Sequence, residues 1–435
     1  MNKSFLILPG CDDRNRGDQA LIWETVNLAK AAGYDGQFFM LSSGSASSQS
    51  KKIGIKDVNP ILEHPSTRFK ASNNISYNFK LKIKWGIVSI WDIITKELLV
   101  HRFLRRIIKK LQNNKVLESL NIFEDVNACF VKGGGFLHAY GGLADTYKIY
   151  YFLYHIRLAL SLGKDVYVMP NSFGPFKSPF VKTMIRKTLS KCKVVMSREK
   201  ISQEQLKKEC SIDSYLFTDI AFHIKQDDSF DAKRELKEKG IPIGEKKCVA
   251  ITARPYRFTG FDNPDELYKK YQESLISFIE WLSQNGYFPV LVEHVYDNKA
   301  HEDDMTCILD IVKHLSKECN YGVFSDRSLS CKQLKKIYGE FDYIVGTRFH
   351  SVIFSLAQEV PAIAITYGGN KGVGIMNDLG LENYAIPIES ITREKIIEKF
   401  CDLSNNVKRN KAKIRDNLVL IQKEKEQIIK LLSEE

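Results

Sequence analysis

The sequence predicts an α/β protein made of two Rossmann-like domains in tandem. Short apolar runs alternate with helix-period segments, the signature of parallel α/β layers. The alternation begins afresh after the polar stretch Lys225–Lys233. Size agrees, since 435 residues exceed one ordinary core and suit two domains.

Strands are expected in the first half at Ser4–Pro9, Gln37–Leu41, Ala128–Lys132, Asp165–Met169, Val194–Ser197 and Tyr215–Phe217. Helical periodicity lies between them at Asp18–Ala32, Ala144–Leu162, Pro179–Cys192 and Lys200–Lys208. The second series has strands at Cys248–Thr252, Phe288–Glu293, Tyr321–Val323, Tyr343–Val345 and Ala362–Thr366. Its helices are Asp265–Asn285, Glu302–Leu315, Ser330–Tyr338, Ser351–Gln358 and Lys371–Leu379. The domains are therefore drawn as 1–225, with a basic insert at about 68–115, and 226–391, followed by a Lys-rich helical tail at 392–435, read as two helices. The Ser/Gly patch Ser42–Ser50 reads as a mobile loop.

The composition is that of a soluble globular protein, with 44% hydrophobic and 27% charged residues. Nine cysteines are scattered without a C-x-x-C pair, which fits a reducing compartment and opposes a disulfide framework or structural zinc. The first apolar run, Phe5-Leu6-Ile7-Leu8, is too short for a signal peptide, and no apolar span reaches the roughly 20 residues that cross a bilayer. A cytoplasmic location is expected.

The formal charge is +12, from 64 Lys and Arg against 52 Asp and Glu, which favours anionic partners. Between Lys80 and Lys110 stand nine basic residues and two acidic ones, interleaved with Trp85, Ile87, Ile90, Trp91, Ile94, Phe103 and Ile107. Trp and Lys/Arg beside aliphatic residues suit an anionic membrane interface, as peripheral attachment. The plainer reading is a core-packed helix pair with a solvated basic face. Nucleic acid ranks lower, because no recognition motif is present.

Chemistry-bearing residues gather where strands end. Gly346-Thr347-Arg348-Phe349-His350-Ser351 follows the apolar run Tyr343-Ile344-Val345 and leads into a helix. Free N–H groups and the positive helix end attract an anion there, Arg348 adds a two-pronged donor, and His350 can move a proton near neutral pH. The plain alternative is that Arg348 pairs with a local acid and His350 caps the helix. After the first strand, Asn15-Arg16-Gly17-Asp18 forms a turn before a helix, with Asp18 as N-cap. Lys132-Gly133-Gly134-Gly135 lets backbone approach a ligand, and Pro170-Asn171-Ser172-Phe173-Gly174-Pro175 exposes hydroxyl and amide groups. Arg198 and Arg254 stand at further strand ends. Each arginine alone has a surface-pair explanation. Arg198, Arg254 and Arg348 together describe a pocket for a small, multiply charged anion in a cleft between the halves. The run His301-Glu302-Asp303-Asp304 is read as an acidic helix start rather than a metal site.

In this order the motifs resemble the polysaccharide pyruvyl transferase family. They are Asn15-Arg16-Gly17-Asp18, Gly133-Gly134-Gly135, Ser172-Phe173-Gly174-Pro175, Ser197-Arg198-Glu199-Lys200, Thr218-Asp219-Ile220-Ala221-Phe222, Ala253-Arg254, Gly346-Thr347-Arg348-Phe349-His350-Ser351 and Val360-Pro361-Ala362-Ile363-Ala364-Ile365. The resemblance implies a glycosyltransferase-B-like fold with an N-terminal acceptor side and a C-terminal donor side. It implies phosphoenolpyruvate as co-substrate, no cofactor and no metal. The product would be a cyclic ketal on a sugar of a surface polysaccharide or its lipid-linked precursor. Arg198, Arg348 and His350 fall on the positions that similar proteins use for the donor, and Arg254 and Ser351 join them. Asp18 is the expected base, and Asn15, Gly17, Gly134, Gly135, Asn171 and Ser172 the acceptor or loop contacts. Two departures stand out: Phe349 where aliphatic residues are common, and Asn15-Arg16-Gly17 where Asn-Leu-Gly is usual.

Two other classes remain open at this point. One is a sugar-nucleotide-dependent glycosyltransferase on the same scaffold, since chemistry sits in the site and not the fold. The other is a non-catalytic, membrane-associated binding protein.

Overall fold

The computed structural model describes residues 3–10, 12–42, 48–64, 79–297, 300–368 and 370–434. The chain divides into two compact units, residues 1–13, 21–220 and 425–435 in the first and 14–20 and 221–424 in the second. Each is a parallel α/β layer.

The first unit carries β1 (Ser4–Leu8), β2 (Gln37–Leu41), β3 (Lys56–Val58), β4 (Ala128–Val131), β5 (Gly134–Ala139), β6 (Asp165–Phe176), β7 (Val194–Ser197) and β8 (Tyr215–Leu216). Their order is β3-β2-β1-β4-β6-β7-β8, with β5 alongside β6. A strand covered on both faces reads as a continuous apolar run. Accordingly Phe5, Leu6, Ile7 and Leu8 are all buried, with Leu6 opposite both Phe39 and Cys129.

The second unit holds β9 (Lys247–Thr252), β10 (Tyr287–Val292), β11 (Gly322–Phe324), β12 (Tyr343–Gly346), β13 (Ala362–Thr366) and β14 (Ala385–Pro387), in the order β11-β10-β9-β12-β13-β14. The order reverses between β9 and β12, whose ends Thr252 and Gly346 are register partners. In such sheets the carboxyl ends at the reversal are where ligands bind.

The tail is two helices, Arg393–Asn405 and Val407–Ser433. Phe400 of the first packs edge-on to Phe278 and Tyr343. The end of the second belongs to the first unit, where Lys425 Nζ reaches Glu24 Oε1 at 2.7 Å. There Tyr34 also donates to the Leu432 carbonyl at 2.9 Å.

Several elements differ from expectation. β3, β5, β14 and the helix Asn114–Asp125 are too short or too mixed in pattern to announce themselves. Part of the Ser/Gly patch, 43–47, lies outside the described residues, as does 68–78 of the basic insert. Ser48–Lys52 is a short helix, and its Ser50 is buried and bonded to Asp13 Oδ1 at 2.5 Å.

The insert forms the helices Phe79–Val100 and Arg102–Lys109. They are not a core-packed pair. Ile87, Ile90, Trp91, Phe103 and Ile107 are exposed, Phe103 by 90%, while Asp92 and Arg105 are buried. Arg105 acts as a clamp, donating to the carbonyls of Leu99 and Val100 and to Ser161 Oγ at 2.5 Å.

Candidate active site

The Gly346–Ser351 element sits at the reversal of the second sheet. A Cβ on Gly346 would lie 2.7 Å from Val352 and 2.9 Å from Ser351 Oγ, so only glycine lets the helix Phe349–Leu356 start so close to the strand. The turn is then fixed by the neighbouring strand. Thr347 N donates to the Thr252 carbonyl at 2.9 Å, and Thr252 Oγ1 meets Ser351 Oγ at 2.8 Å. Ser351 in turn donates to the Arg348 carbonyl at 2.6 Å.

Arg348 is the extended N-cap of that helix, and it does pair with an acid. Its Nε and Nη2 reach Asp304 Oδ1 at 2.7 and 2.6 Å, and Nη2 also donates to the Glu302 carbonyl at 2.8 Å. Asp304 Oδ2 accepts from the backbone of His294 at 3.1 Å and Val295 at 2.8 Å. Complete burial raises the Asp304 carboxyl above the usual range, with Arg348 pulling the other way. The acidic run expected to be a helix start thus supplies the counter-ion that aims Arg348. Nη1 of Arg348 makes no hydrogen bond among the described residues.

His350 occupies the next turn and is almost buried. Its ring lies against Gly17, where an added Cβ would fall 1.9 Å from Nδ1. Residues 14–20 belong to this second unit, so the Asn15–Asp18 motif is part of the same neighbourhood. The helix Arg16–Ala31 is capped by Asn15 rather than Asp18. Asn15 Oδ1 accepts from Gly17 N at 3.1 Å, and its Nδ2 donates to Asp18 Oδ2 at 2.8 Å.

A second histidine, His294, stands two residues past the end of β10. Burial first, then the positive charges of His350, Arg348, Arg16 and Lys371, hold its imidazole well below the ordinary value. Its Nδ1 meets the Tyr338 hydroxyl at 3.2 Å, and Nε2 has no hydrogen-bond partner among the described residues. Sequence reasoning stopped one residue short of it, at Glu293; the rule that ligands gather at strand ends would have reached it.

Arg254, at the end of β9, is nearly buried. Its Nη1 donates to the Tyr367 hydroxyl at 2.6 Å, and Nη2 lies 3.6 Å from Glu302 Oε2. Its guanidinium stacks 4.6 Å from the Tyr367 ring centroid, while Nε has no partner among the described residues. Arg16 donates from Nη2 to the Arg327 carbonyl at 2.7 Å and lies 5.0 Å from the Tyr296 ring. The residue that departs from the family pattern is thereby built into the second unit.

In the first unit Arg198 is 1% exposed. Its Nη1 donates to Asp219 Oδ2 at 2.5 Å, and Nε donates to Ser172 Oγ at 2.7 Å. Ser172 donates to Glu199 Oε2 at 2.8 Å. Asn171 is buried beside Gly134, donating from Nδ2 to the carbonyls of Lys132 at 2.9 Å and Met169 at 2.8 Å. Arg198 Nη2 and Asn171 Oδ1 are left without partners among the described residues. Gly135 lies on β5.

The expected residues therefore fall into two groups. Asn15, Gly17, Asp18, Arg254, Arg348, His350 and Ser351 belong to the second unit, and Gly134, Gly135, Asn171, Ser172 and Arg198 to the first. Among the described residues no group of three or more His, Cys, Asp or Glu is placed to hold a metal ion. The second-unit group is a cationic neighbourhood with two histidines, an arrangement able to bind an anion and to hand over a proton.

Comparison with known proteins follows the same line. The family model described as polysaccharide pyruvyl transferase matches residues 15–369. The amylovoran biosynthesis protein AmsJ of Erwinia amylovora is 25% identical over 280 residues, 63% of this chain and 65% of that protein. The chain thus spans just under two thirds of that curated relative. Among solved structures, Anabaena HepE in complex with UDP-glucose aligns with a TM-score of 0.55 at 10% identity, covering 99% of both chains. UDP-GlcNAc 2-epimerase from Neisseria meningitidis aligns at 0.52 and 12% identity, also over 99% of both. These structural likenesses establish a glycosyltransferase-B-like fold.

Proposed function

Because the chain belongs to the polysaccharide pyruvyl transferase family, we propose that it moves the pyruvyl group of phosphoenolpyruvate onto a sugar as a cyclic ketal. The sugar belongs to a surface polysaccharide or its lipid-linked precursor. The observation that carries this reading is the convergence of Arg348 and Arg254 on Glu302, through its carbonyl at 2.8 Å and its carboxylate at 3.6 Å, on the unit where His350 lies against Gly17. A donor bearing a carboxylate and a phosphate needs several cations at close range.

In this reading the methylene carbon takes a proton and a sugar hydroxyl adds to the neighbouring carbon. Phosphate leaves, and a second hydroxyl closes the ring. His350 supplies the proton, a step worth about 10²–10⁴ in rate for a positioned acid. Arg348, held by Asp304, and Arg254, held by Tyr367, stabilise the donor's anions and the departing phosphate. Ser351 keeps the helix start in place through Thr252. Asp18 is the base toward the acceptor hydroxyl. Arg198 acts within the first unit as a positioning residue, fixing Ser172 and the Asn171 backbone beside Gly134 and Gly135.

The test is phosphate release from phosphoenolpyruvate across a panel of glycans, with thermal-shift measurements using phosphoenolpyruvate and UDP- or GDP-sugars. Stabilisation by phosphoenolpyruvate and acceptor-dependent release are expected. Stabilisation by a sugar nucleotide alone would replace this reading with a glycosyltransferase.

A further inference from the structure

The first unit contains a cavity of about 1330 Å³ that the pyruvyl-transfer reading does not use. It lies under the insert helix Phe79–Val100 and is walled chiefly by Trp85, Ile90 and Ile93 of that helix, with Tyr147, Phe180 and Met184 from the helices Leu143–Ser161 and Pro179–Leu189. This exceeds the roughly 300–1,000 Å³ of an ordinary small-molecule site. Around it large apolar side chains stand exposed among the described residues: Ile87 and Trp91 are each 65% exposed and Leu143 89%. Exposed apolar surface on this scale marks an interaction site.

The charge around the apolar wall says what fits. Lys187 and Lys191 line the cavity and are exposed. Arg106 and Lys110 stand exposed on and just after the adjoining helix. None of these four makes a salt bridge among the described residues. Arg157 is different, since it is spent on Glu97. A large, mainly apolar cavity beside cations that make no salt bridge among the described residues is complementary to a hydrocarbon chain that ends in a phosphate.

We propose that this cavity takes the hydrocarbon chain of an anionic membrane phospholipid. Lys187 and Lys191 meet its phosphate, and Ile87, Trp91, Phe103 and Leu143 enter the surrounding acyl layer. The inference is independent of the pyruvyl-transfer reading, since it is read as binding by the protein alone without donor or glycan.

The experiment uses the full chain with extruded vesicles of phosphatidylglycerol or phosphatidylcholine at about 0.15 M salt. A second arm uses chain-brominated phosphatidylglycerol and reads Trp85 quenching as the difference between Trp91→Phe and Trp85→Phe/Trp91→Phe variants, which both keep Trp23 and Trp281. Sedimentation with phosphatidylglycerol should exceed that with phosphatidylcholine by about tenfold or more, and the brominated chain should quench Trp85. Beyond its chain neighbours and its own helix backbone, a Cβ built on Gly86 meets nothing within 4 Å, so Gly86→Phe can fill the cavity while the helix keeps its circular dichroism. That variant should lose the quenching, and Lys187→Glu with Lys191→Glu should weaken sedimentation about tenfold. Equal sedimentation with both lipids would overturn the proposal. So would phosphatidylglycerol binding in which Trp85 stays unquenched, or quenching that survives a correctly folded Gly86→Phe.

Discussion

Gly17 and His350 meet across a gap that admits no side chain, since a Cβ on Gly17 would lie 1.9 Å from His350 Nδ1. A residue near the start of the chain thereby sets the position of a ring far along the sequence, inside one compact unit. Gly17→Ala must displace the imidazole or the helix start, an overpacking cost of about 1–3 kcal/mol. Chemical denaturation and phosphate release should both register it, with activity falling more than stability explains. A variant with full activity would detach Gly17 from the placement of His350.

His350→Ala should lower turnover by about 10²–10⁴, with folding intact by circular dichroism and thermal unfolding. Removing the ring relieves the Gly17 contact rather than straining it. The double variant Gly17→Ala with His350→Ala should therefore be less destabilised than Gly17→Ala alone. Near-normal phosphate release by His350→Ala would take the residue out of the mechanism.

Asp304 is the keystone of the second unit's site, holding Arg348 and two backbone amides of the segment after β10. Asp304→Ala leaves a buried guanidinium without its counter-charge and should cost about 3–5 kcal/mol. Asp304→Asn keeps the shape but surrenders the charge, so it should retain more stability while losing donor affinity. Urea unfolding together with a phosphoenolpyruvate titration separates the two effects, and equal losses for both variants would count against a charge role.

His155 gives the first unit a pH dependence. It is buried against Phe123, and its Nε2 accepts from Ile61 N at 3.1 Å and Leu62 N at 3.3 Å. Burial pushes its pKa down to about 3, so the folded ring stays neutral where the unfolded one protonates. Its contribution is complete above about pH 6.5 and is lost as pH falls from there toward 3, by up to about 1.4 kcal/mol per pH unit. His155→Gln should flatten the acid limb of a stability–pH curve. An unchanged slope would place the acid sensitivity elsewhere.

Much of this molecule was legible beforehand because buried parallel strands write themselves as uninterrupted apolar runs. Gln37–Leu41, Val194–Ser197 and Ala362–Thr366 match in full. β3 and β14 were missed because three residues carry too little pattern, and β5 because Gly134 and Gly135 read as loop. At the candidate site, Arg348 and His350 stood out through a strand end followed by a helix start. Their partners did not: Asp304 sits in a run that reads as a helix cap, and nothing local links Gly17 to His350. The insert misled in another way. Its spacing gave helices, but periodicity cannot say that Ile87 and Trp91 face outward while Asp92 and Arg105 turn in.

The return of residues 425–434 to the first unit, through Lys425 on Glu24 and Leu432 on Tyr34, bears on biosynthesis. That layer joins residues some 400 positions apart, so these contacts can form only once Leu432 has left the ribosome, although nascent domains usually fold in order from the front. The residues of the second layer, 14–20 and 221–424, all precede that segment in the chain and can close first.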